Sequence, residues 1–517
     1  MRMTCKRWVA AGWMAAWMLI AWSGAFAADG LRPNILYILA DDMGVGDVSA
    51  LNPKCVWKTP NLDRLAAEGR IFTDAHSASG VCTPSRYTLL TGRYSWRGSM
   101  KSGVLHGYDR PLIEPGRMTV AAFLKSQGYA TAGVGKWHLG FEWAKSGPKL
   151  EDVDYTRPFA EGPLTRGFER YFGISASLDM PPYVYLDNDR VTAVPSGTVT
   201  NSPVPKMWRA GPIAGDFRFE EVQPRFIEKA QSFLKDRAAA RDGKPFFLYL
   251  ALASPHTPIV PTPAFQGRSK TNPYGDFVLH VDAAIGELLG TLDGLGMRTN
   301  TLVVFTADNG FAPAANLPEL KGFGHDPSAG YRGHKADLFE GGHRVPFIVR
   351  WPGQAPAGTR CGQTVGHLDL MATCAEILGV KLPETAGEDS VSVLSLIRGG
   401  NTPVTHRAGL VHHSSNGSFS IRQGRWKLLL VPDSGGWSFP QPGKGLTAGT
   451  PRFQLYDLES DPAETRNVMA EHPEEVARLG RALRKIIEDG RSTPGARQPY
   501  DTVTPWPQIG WVKEFQD

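Results

Sequence analysis

Several stretches of this chain are apolar at almost every position over the length of a β-strand. Asn34-Ile35-Leu36-Tyr37-Ile38-Leu39-Ala40 and Phe246-Phe247-Leu248-Tyr249-Leu250-Ala251-Leu252 are the clearest, and Thr301-Leu302-Val303-Val304-Phe305 is shorter. A strand with one face in water alternates polar and apolar residues. An unbroken run therefore implies burial on both faces, the condition of a parallel sheet covered by helices. Helical signals lie between the runs. Thr59-Pro60 supplies a cap and an N1 proline for a helix through Leu62 and Leu65 to Gly69, and Thr119 to Gln127 is a second, closed by Gly128. Phe219 to Ala240, Phe277 to Leu292 and His367 to Leu378 read as further helices, and Ala130 to Val134 and Pro346 to Arg350 as further strands. Strand alternating with helix predicts an α/β domain with a large, mostly parallel sheet.

That texture ends near residue 395, so a large N-terminal domain is expected over residues 28–395 and a smaller α+β domain over 396–517. In the latter, Ser418 to Val431 and Arg452 to Leu458 read as hairpin strands and Pro473 to Asp489 as an amphipathic helix. The tail from Arg491, with prolines at 494, 499, 505 and 507, reads as irregular. Residues 145–215 are rich in Pro, Gly and Asp and read as long surface loops inserted in the first domain.

The first 27 residues read as a secretory leader: a basic start, an apolar stretch from Trp8 to Trp22, and Ala25-Phe26-Ala27 as a cleavage site. This predicts a periplasmic or secreted protein, and the run is short for a membrane anchor. The formal charge of +5 includes Arg2, Lys6 and Arg7, so removing them leaves 5 − 3, about +2. A near-neutral chain argues against general nucleic-acid or membrane-surface binding. Of the remaining cysteines, Cys361 and Cys374 either pair or, like Cys55, stay unpaired and buried.

Four of the predicted strands run into polar clusters: Asp41-Asp42, Gly135-Lys136-Trp137-His138, Ser254-Pro255-His256 and Asp308-Asn309. Ligands of open α/β sheets bind outside the carboxyl ends of the strands, which gathers these distant clusters at one rim. Asp41, Asp42, Asp308 and Asn309 offer only oxygen donors, the preference of a hard cation such as Ca²⁺ or Mg²⁺. A further group, Cys82-Thr83-Pro84-Ser85-Arg86, is followed by Tyr87, Leu89, Leu90 and Gly92. Pro84 suits a first helical turn and Gly92 a stop, placing Cys82 at a helix N-terminus where negative charge is favoured. Arg86, one turn on, adds a fork suited to a tetrahedral oxyanion.

Cys-x-Pro-Ser-Arg with the following Leu-Thr-Gly resembles the signature of the type I sulfatases. Their second signature, Gly-Tyr-x-Thr-x-x-x-Gly-Lys-x-His, stands here as Gly128 to His138. His334-Lys335-Ala336-Asp337-Leu338-Phe339-Glu340-Gly341-Gly342 resembles the family's Lys-x-x-x-x-Glu-Gly-Gly stretch, and the likeness covers about residues 34 to 480. The resemblance implies an alkaline-phosphatase-like fold and oxidation of Cys82 to Cα-formylglycine by a maturation enzyme. It also implies a Ca²⁺ site (Mg²⁺ is the less favoured ion) of Asp41, Asp42, Asp308, Asn309 and the residue formed from Cys82. By the same likeness His256, with Lys335, protonates the leaving oxygen, and His138 assists release of sulfate. Lys136 and Arg86 hold the nucleophile and its surroundings.

The chemistry makes sense of these residue types. A serine nucleophile would leave a sulfated enzyme slow to hydrolyse. An aldehyde hydrate has a second hydroxyl whose proton loss expels sulfate, and an alkoxide leaving group calls for a general acid. The segments Ser102 to Asp109, with His106, and Ser177 to Tyr183, with Asp179, resemble sulfatases acting on 6-O-sulfated galactose or N-acetylgalactosamine in glycans. Trp96, Trp143 and Tyr183 are candidate sugar-stacking surfaces or core aromatics. The alternatives are an arylsulfatase of other specificity, a phosphodiesterase or phosphonate hydrolase of the same superfamily, or a non-catalytic binder of sulfated glycans. Intact Cys82, His138, His256 and Lys335 speak against the binder.

Overall fold

The computed structural model describes Met1 and residues 32–404, 406–502 and 506–516. The leader expected over residues 1–27 lies outside the described residues apart from Met1. Among the described residues no helix is long and apolar enough to cross a membrane.

The apolar runs form the centre of a ten-stranded sheet. Arg170–Ile174, Ala130–Lys136, Phe246–Ala251, Asn34–Ala40 and Thr301–Ala307 lie side by side, all parallel. Phe347–Arg350 joins antiparallel to Thr301–Ala307, and Arg70–Phe72 and Thr359–Cys361 complete that edge, so the sheet is mixed but mostly parallel. Both faces of the central strands are buried, as their unbroken apolar sequence requires. Register aligns their ends: Ala40 stands opposite Ala307, Leu39 opposite Ala251, and Ala251 opposite Gly135. The polar clusters that follow therefore emerge along a single rim.

Some elements differ from the sequence reading. The segment expected as loops over 145–215 contributes Arg170–Ile174, Leu186–Asp187 and Arg190–Val191 to the main sheet, because short strands paired to an existing edge need little periodicity of their own. The helix expected from Phe277 begins at Pro273, capped by the Asn272 side chain, which accepts from the Gly275 N–H at 3.2 Å. In the tail expected to be irregular, Pro507–Phe515 winds into 3₁₀ turns and buries Trp511 and Phe515. Cys55, Cys361 and Cys374 are unpaired and buried.

The second sheet is four-stranded and antiparallel, in the order Leu410–His413, Phe419–Gln423, Trp426–Leu429, Gln454–Asp457. Helix Pro473–Glu488 covers it with Val476, Leu479, Leu483, Ile486 and Ile487, a stripe at helical spacing. The two domains are fastened through buried polar groups. Glu340 accepts from Lys427 Nζ at 2.9 Å and from Arg344 Nε at 2.8 Å. The Glu of the Lys-x-x-x-x-Glu-Gly-Gly stretch thus anchors the loop that carries Lys335.

Candidate active site

Helix Cys82–Thr91 starts with Cys82 itself and ends at Gly92, whose φ of +62° is left-handed. Every residue of this helix is buried. It points its first turn at the rim where the parallel strands end. Gly135, at the end of its strand, has φ +116°, and a Cβ there would lie 1.8 Å from the Ala251 carbonyl oxygen, so only glycine fits. Asp42 and His138 adopt φ of +60° and +58°, uncommon for side-chain-bearing residues and frequent at functional sites.

The residues singled out in sequence converge. Asp41 Oδ2 accepts from Lys136 Nζ at 2.6 Å, and Asp41 Oδ1 lies 3.5 Å from Cys82 Sγ. Asp42 accepts from Lys335 Nζ at 2.8 Å and from Asn309 Nδ2 at 2.7 Å, with His256 Nε2 at 3.5 Å. Asp308 Oδ2 accepts from Arg86 Nε and Nη2 at 3.1 and 2.8 Å, while Arg86 Nη1 donates to the Lys136 carbonyl at 3.2 Å. Three carboxylates and three cations are thus paired out of water, as buried charges must be.

Cys82, Asp42, His138, His256, Lys335 and Asp179 line a cavity of roughly 560 Å³. Arg86 and Lys136 do not line it; both lie fully buried beneath its floor. The Arg86 fork, expected to face an oxyanion, is instead occupied by Asp308. His106 is exposed, its backbone N–H donating to Asp109 Oδ2 at 2.6 Å, and is not among the lining residues. Asp179 is buried beside His256, whose Nδ1 stands 4.0 Å away. One Asp179 oxygen pairs with Arg209 Nη1, and the other, Oδ1, the one near His256, has no hydrogen-bond partner among the described residues. Trp96, Trp143 and Tyr183 are core side chains, 1%, 4% and 1% exposed, and present no surface for stacking.

Burial sets the protonation states. Burial and the neighbouring Asp308 push the Cys82 thiol well up, despite Lys136 and Lys335, so the unmodified side chain is a neutral thiol. Burial alone would raise Asp41, but Lys136, His256, Arg86 and Lys335 outweigh it and hold it well below the usual carboxylate range. Burial likewise opposes the charge on Lys335, yet Asp42 and its acidic neighbours prevail and its pKa is raised. Burial, then Lys136 and Arg86, drive His138 well below the usual histidine range. Its ring is therefore neutral. Nε2, 2.7 Å from the Leu105 carbonyl, carries the proton, and the Nδ1 lone pair is left buried and unpartnered among the described residues. His256 Nδ1 lies 2.6 Å from the Thr257 carbonyl and donates to it, which turns Nε2 towards Asp42.

Asp41, Asp42, Cys82 and His256 bring ligand atoms within 4.8 Å of one another, and the carboxylate oxygens among them suit a hard divalent cation. Asn309 Oδ1 is buried without a partner among the described residues, an oxygen that a cation would satisfy.

Residues 33–380 match the Sulfatase family. The chain is 34% identical to the N-acetylgalactosamine-6-O-sulfatase of Bacteroides thetaiotaomicron over 495 residues, 88% of this chain and 93% of that protein. It is 34% identical to human arylsulfatase A, covering 84% of this chain and 83% of that one. A solved Bacteroides thetaiotaomicron structure, described with the metabolism of multiple glycosaminoglycans, aligns with a TM-score of 0.76 at 32% identity, over 88% of this chain and 99% of its own. Likeness of sequence over most of the length, in a chain of the alkaline-phosphatase-like fold those proteins share, decides the matter: this is a hydrolase of sulfate esters that belongs to the sulfatase family.

Proposed function

We propose that the protein is a periplasmic or secreted carbohydrate sulfatase acting on 6-O-sulfated galactose or N-acetylgalactosamine, with Cys82 matured to formylglycine. The observation that carries the sugar reading is Asp179. Asp179 lines the cavity, and its buried Oδ1, without a hydrogen-bond partner among the described residues, costs free energy unless a donor reaches it. A sugar offers a hydroxyl beside its sulfate, whereas an aryl sulfate leaves that oxygen unsatisfied. The identity shared with an N-acetylgalactosamine-6-O-sulfatase supports the same class.

Asp41, Asp42, Asp308 and Asn309 would hold a divalent cation, Ca²⁺ by its tolerance of mixed carboxylate and amide oxygens; when bound it supplies a fixed positive charge for the sulfate oxygens. The hydrate formed from Cys82 supplies an oxygen nucleophile where the neutral thiol cannot. Lys335, on the cavity wall, binds a sulfate oxygen and orients the ester. His256, carrying a proton on each ring nitrogen beside the Asp42 carboxylate, keeps Nδ1–H on the Thr257 carbonyl and hands its Nε2 proton to the departing sugar oxygen, becoming neutral. His138 Nδ1, neutral and unpartnered, takes the proton whose loss releases sulfate. Arg86 and Lys136 act from below by holding Asp308 and Asp41 in place. The domains are taken as 1–27 leader, 28–395 catalytic and 396–517 C-terminal.

The test is a panel assayed on one matured preparation: galactose and N-acetylgalactosamine 6-sulfates, their 4-sulfates, glucosamine 6-sulfate, a nitrophenyl sulfate and the matching phosphate esters. Preference for the two 6-sulfates is expected, with Asp179→Ala losing about 10²-fold on them and little on the aryl ester. Preference for the aryl ester would favour an arylsulfatase, and preference for phosphate esters a phosphohydrolase.

A further inference from the structure

Above its charged floor the cavity changes character. Val104, Met180, Val204, Met207, Pro313 and Trp437 line its upper part, and two of these are among the exposed large apolar side chains, Trp437 at 45% and Val204 at 56%. Exposed apolar surface rimming a functional pocket marks a binding face. Trp437 comes from the C-terminal domain and is held in register with the catalytic loop. The Trp437 and Ser438 N–H groups donate to Asp337 Oδ1 at 2.7 and 3.0 Å, and Asp337 Oδ2 takes the Ser438 hydroxyl. The Leu338 N–H donates to the Ser434 carbonyl at 2.8 Å. A Cβ on Gly436 would lie 2.4 Å from the Ala336 carbonyl oxygen, so glycine allows the two loops to touch. Lys335 immediately precedes this clasped segment. The backbone that carries the indole is thereby fixed relative to the Lys335 loop, and Trp437 keeps 45% of its surface in solvent.

We propose that Trp437 is a specificity-determining residue, the stacking platform for the sugar joined to the sulfated one. The inference rests on the carbohydrate reading above and deepens it. The C–H groups on one face of a pyranose carry slight positive charge and meet the negative π face of an indole, while the large area excludes water. The platform reads the face of the ring and not its charge. The one cation among the lining residues outside the floor, Arg209, is already paired with Asp179. The neighbouring sugar is therefore held alike whether it is an uncharged hexosamine or a uronic acid.

The experiment uses matured full-length enzyme and three substrates. These are a 6-sulfated monosaccharide, a disaccharide carrying the same sulfated sugar at its non-reducing end on a neutral hexosamine, and one carrying it on a uronic acid. Wild-type kcat/KM should be about tenfold higher for both disaccharides than for the monosaccharide, and the two disaccharides should agree within about threefold. Trp437→Ala should erase that gain and change the monosaccharide value less than about twofold, while Trp437→Tyr restores most of the gain. An equal loss on all three substrates would make Trp437 a mere support of the Lys335 loop. A gain that survives Trp437→Ala, or a tenfold preference for the uronate that salt abolishes, would overturn the platform. If wild-type enzyme turns over none of the three sugars, the carbohydrate reading falls and the subsite with it; if it turns over the monosaccharide but ignores the neighbour, only the subsite falls.

Discussion

Acidification from pH 7 to pH 5 charges an ordinary histidine, and the seam between the two domains buries histidines that cannot accept the charge. His343 and His412 stack with ring centroids 3.7 Å apart, and His76 Nδ1 lies 3.0 Å from His343 Nδ1. All three are out of water. Burial first, then Lys427 for His343 and the neighbouring His343 for His412, hold both pKa values well below the usual histidine range. The sign follows: as pH falls through about 6.5 the unfolded chain binds protons that the folded chain refuses, so stability present above that pH is lost below it. Each such histidine costs about 2 kcal/mol between pH 7 and pH 5. His367, lowered by burial to about 3, and His413, lowered by burial to about 4, behave alike. Glu464 works the other way. Burial raises it to about 7 against Lys427, so it takes a proton when folded and offsets about 2 kcal/mol. His76, His138 and His280, lowered chiefly by burial, add losses of the same sign, so the histidines outweigh Glu464 and acidification removes a large part of an ordinary stability. His412→Phe isolates one share, since a phenyl ring keeps the stack and gives up only the long 3.4 Å contact between His412 Nδ1 and Ser420 Oγ. Urea unfolding followed by tryptophan fluorescence at both pH values should show the variant near parental stability at pH 7 and about 2 kcal/mol less acid-sensitive. A parent equally stable at both pH values, or a variant with the full acid loss, would refute the account.

Three further outcomes bear on the site. Mass spectrometry of the Cys82 peptide from active protein should find an aldehyde in place of the thiol; full activity with cysteine alone there would defeat the nucleophile assignment. Metal analysis of wild-type enzyme should find a bound divalent cation, and Asn309→Ala should lose it together with about 10²-fold in kcat, while active enzyme free of any divalent cation would sink the site. Asn309 serves better than Asp308, because removing Asp308 would leave the buried Arg86 only Asp41, at 3.6 Å, as a counter-charge. His256→Ala should lose about 10²–10⁴ in kcat on a sulfated sugar and far less on a nitrophenyl sulfate, whose leaving group departs without a proton; equal losses would remove His256 from proton transfer.

Local patterns along the chain are enough to place the central sheet and to gather the candidate residues at one rim. Ile35–Ala40 and Phe247–Ala251 are apolar without alternation, which admits burial on both faces and little else. Pro84 and Gly92 mark the ends of the helix that presents Cys82, and Lys136 ends a strand while Asp41, His256 and Asp308 each come after one, so a parallel sheet had to bring them together. These signals are local: periodicity, caps and position relative to a strand end. The rest depends on contacts between distant segments. Arg86 and Lys136 share signatures with residues that line the cavity, yet Asp308 and Asp41 draw them beneath its floor. Trp96, Trp143 and Tyr183 are no different in composition from Trp437, but packing buries the first three and leaves the last on the rim. Trp437 reaches that rim through Asp337, 100 positions earlier in the chain, whose single carboxylate ties the C-terminal domain to the loop of Lys335. A side chain's exposure is set by what folds against it, and no local pattern encodes a neighbour so far away in sequence.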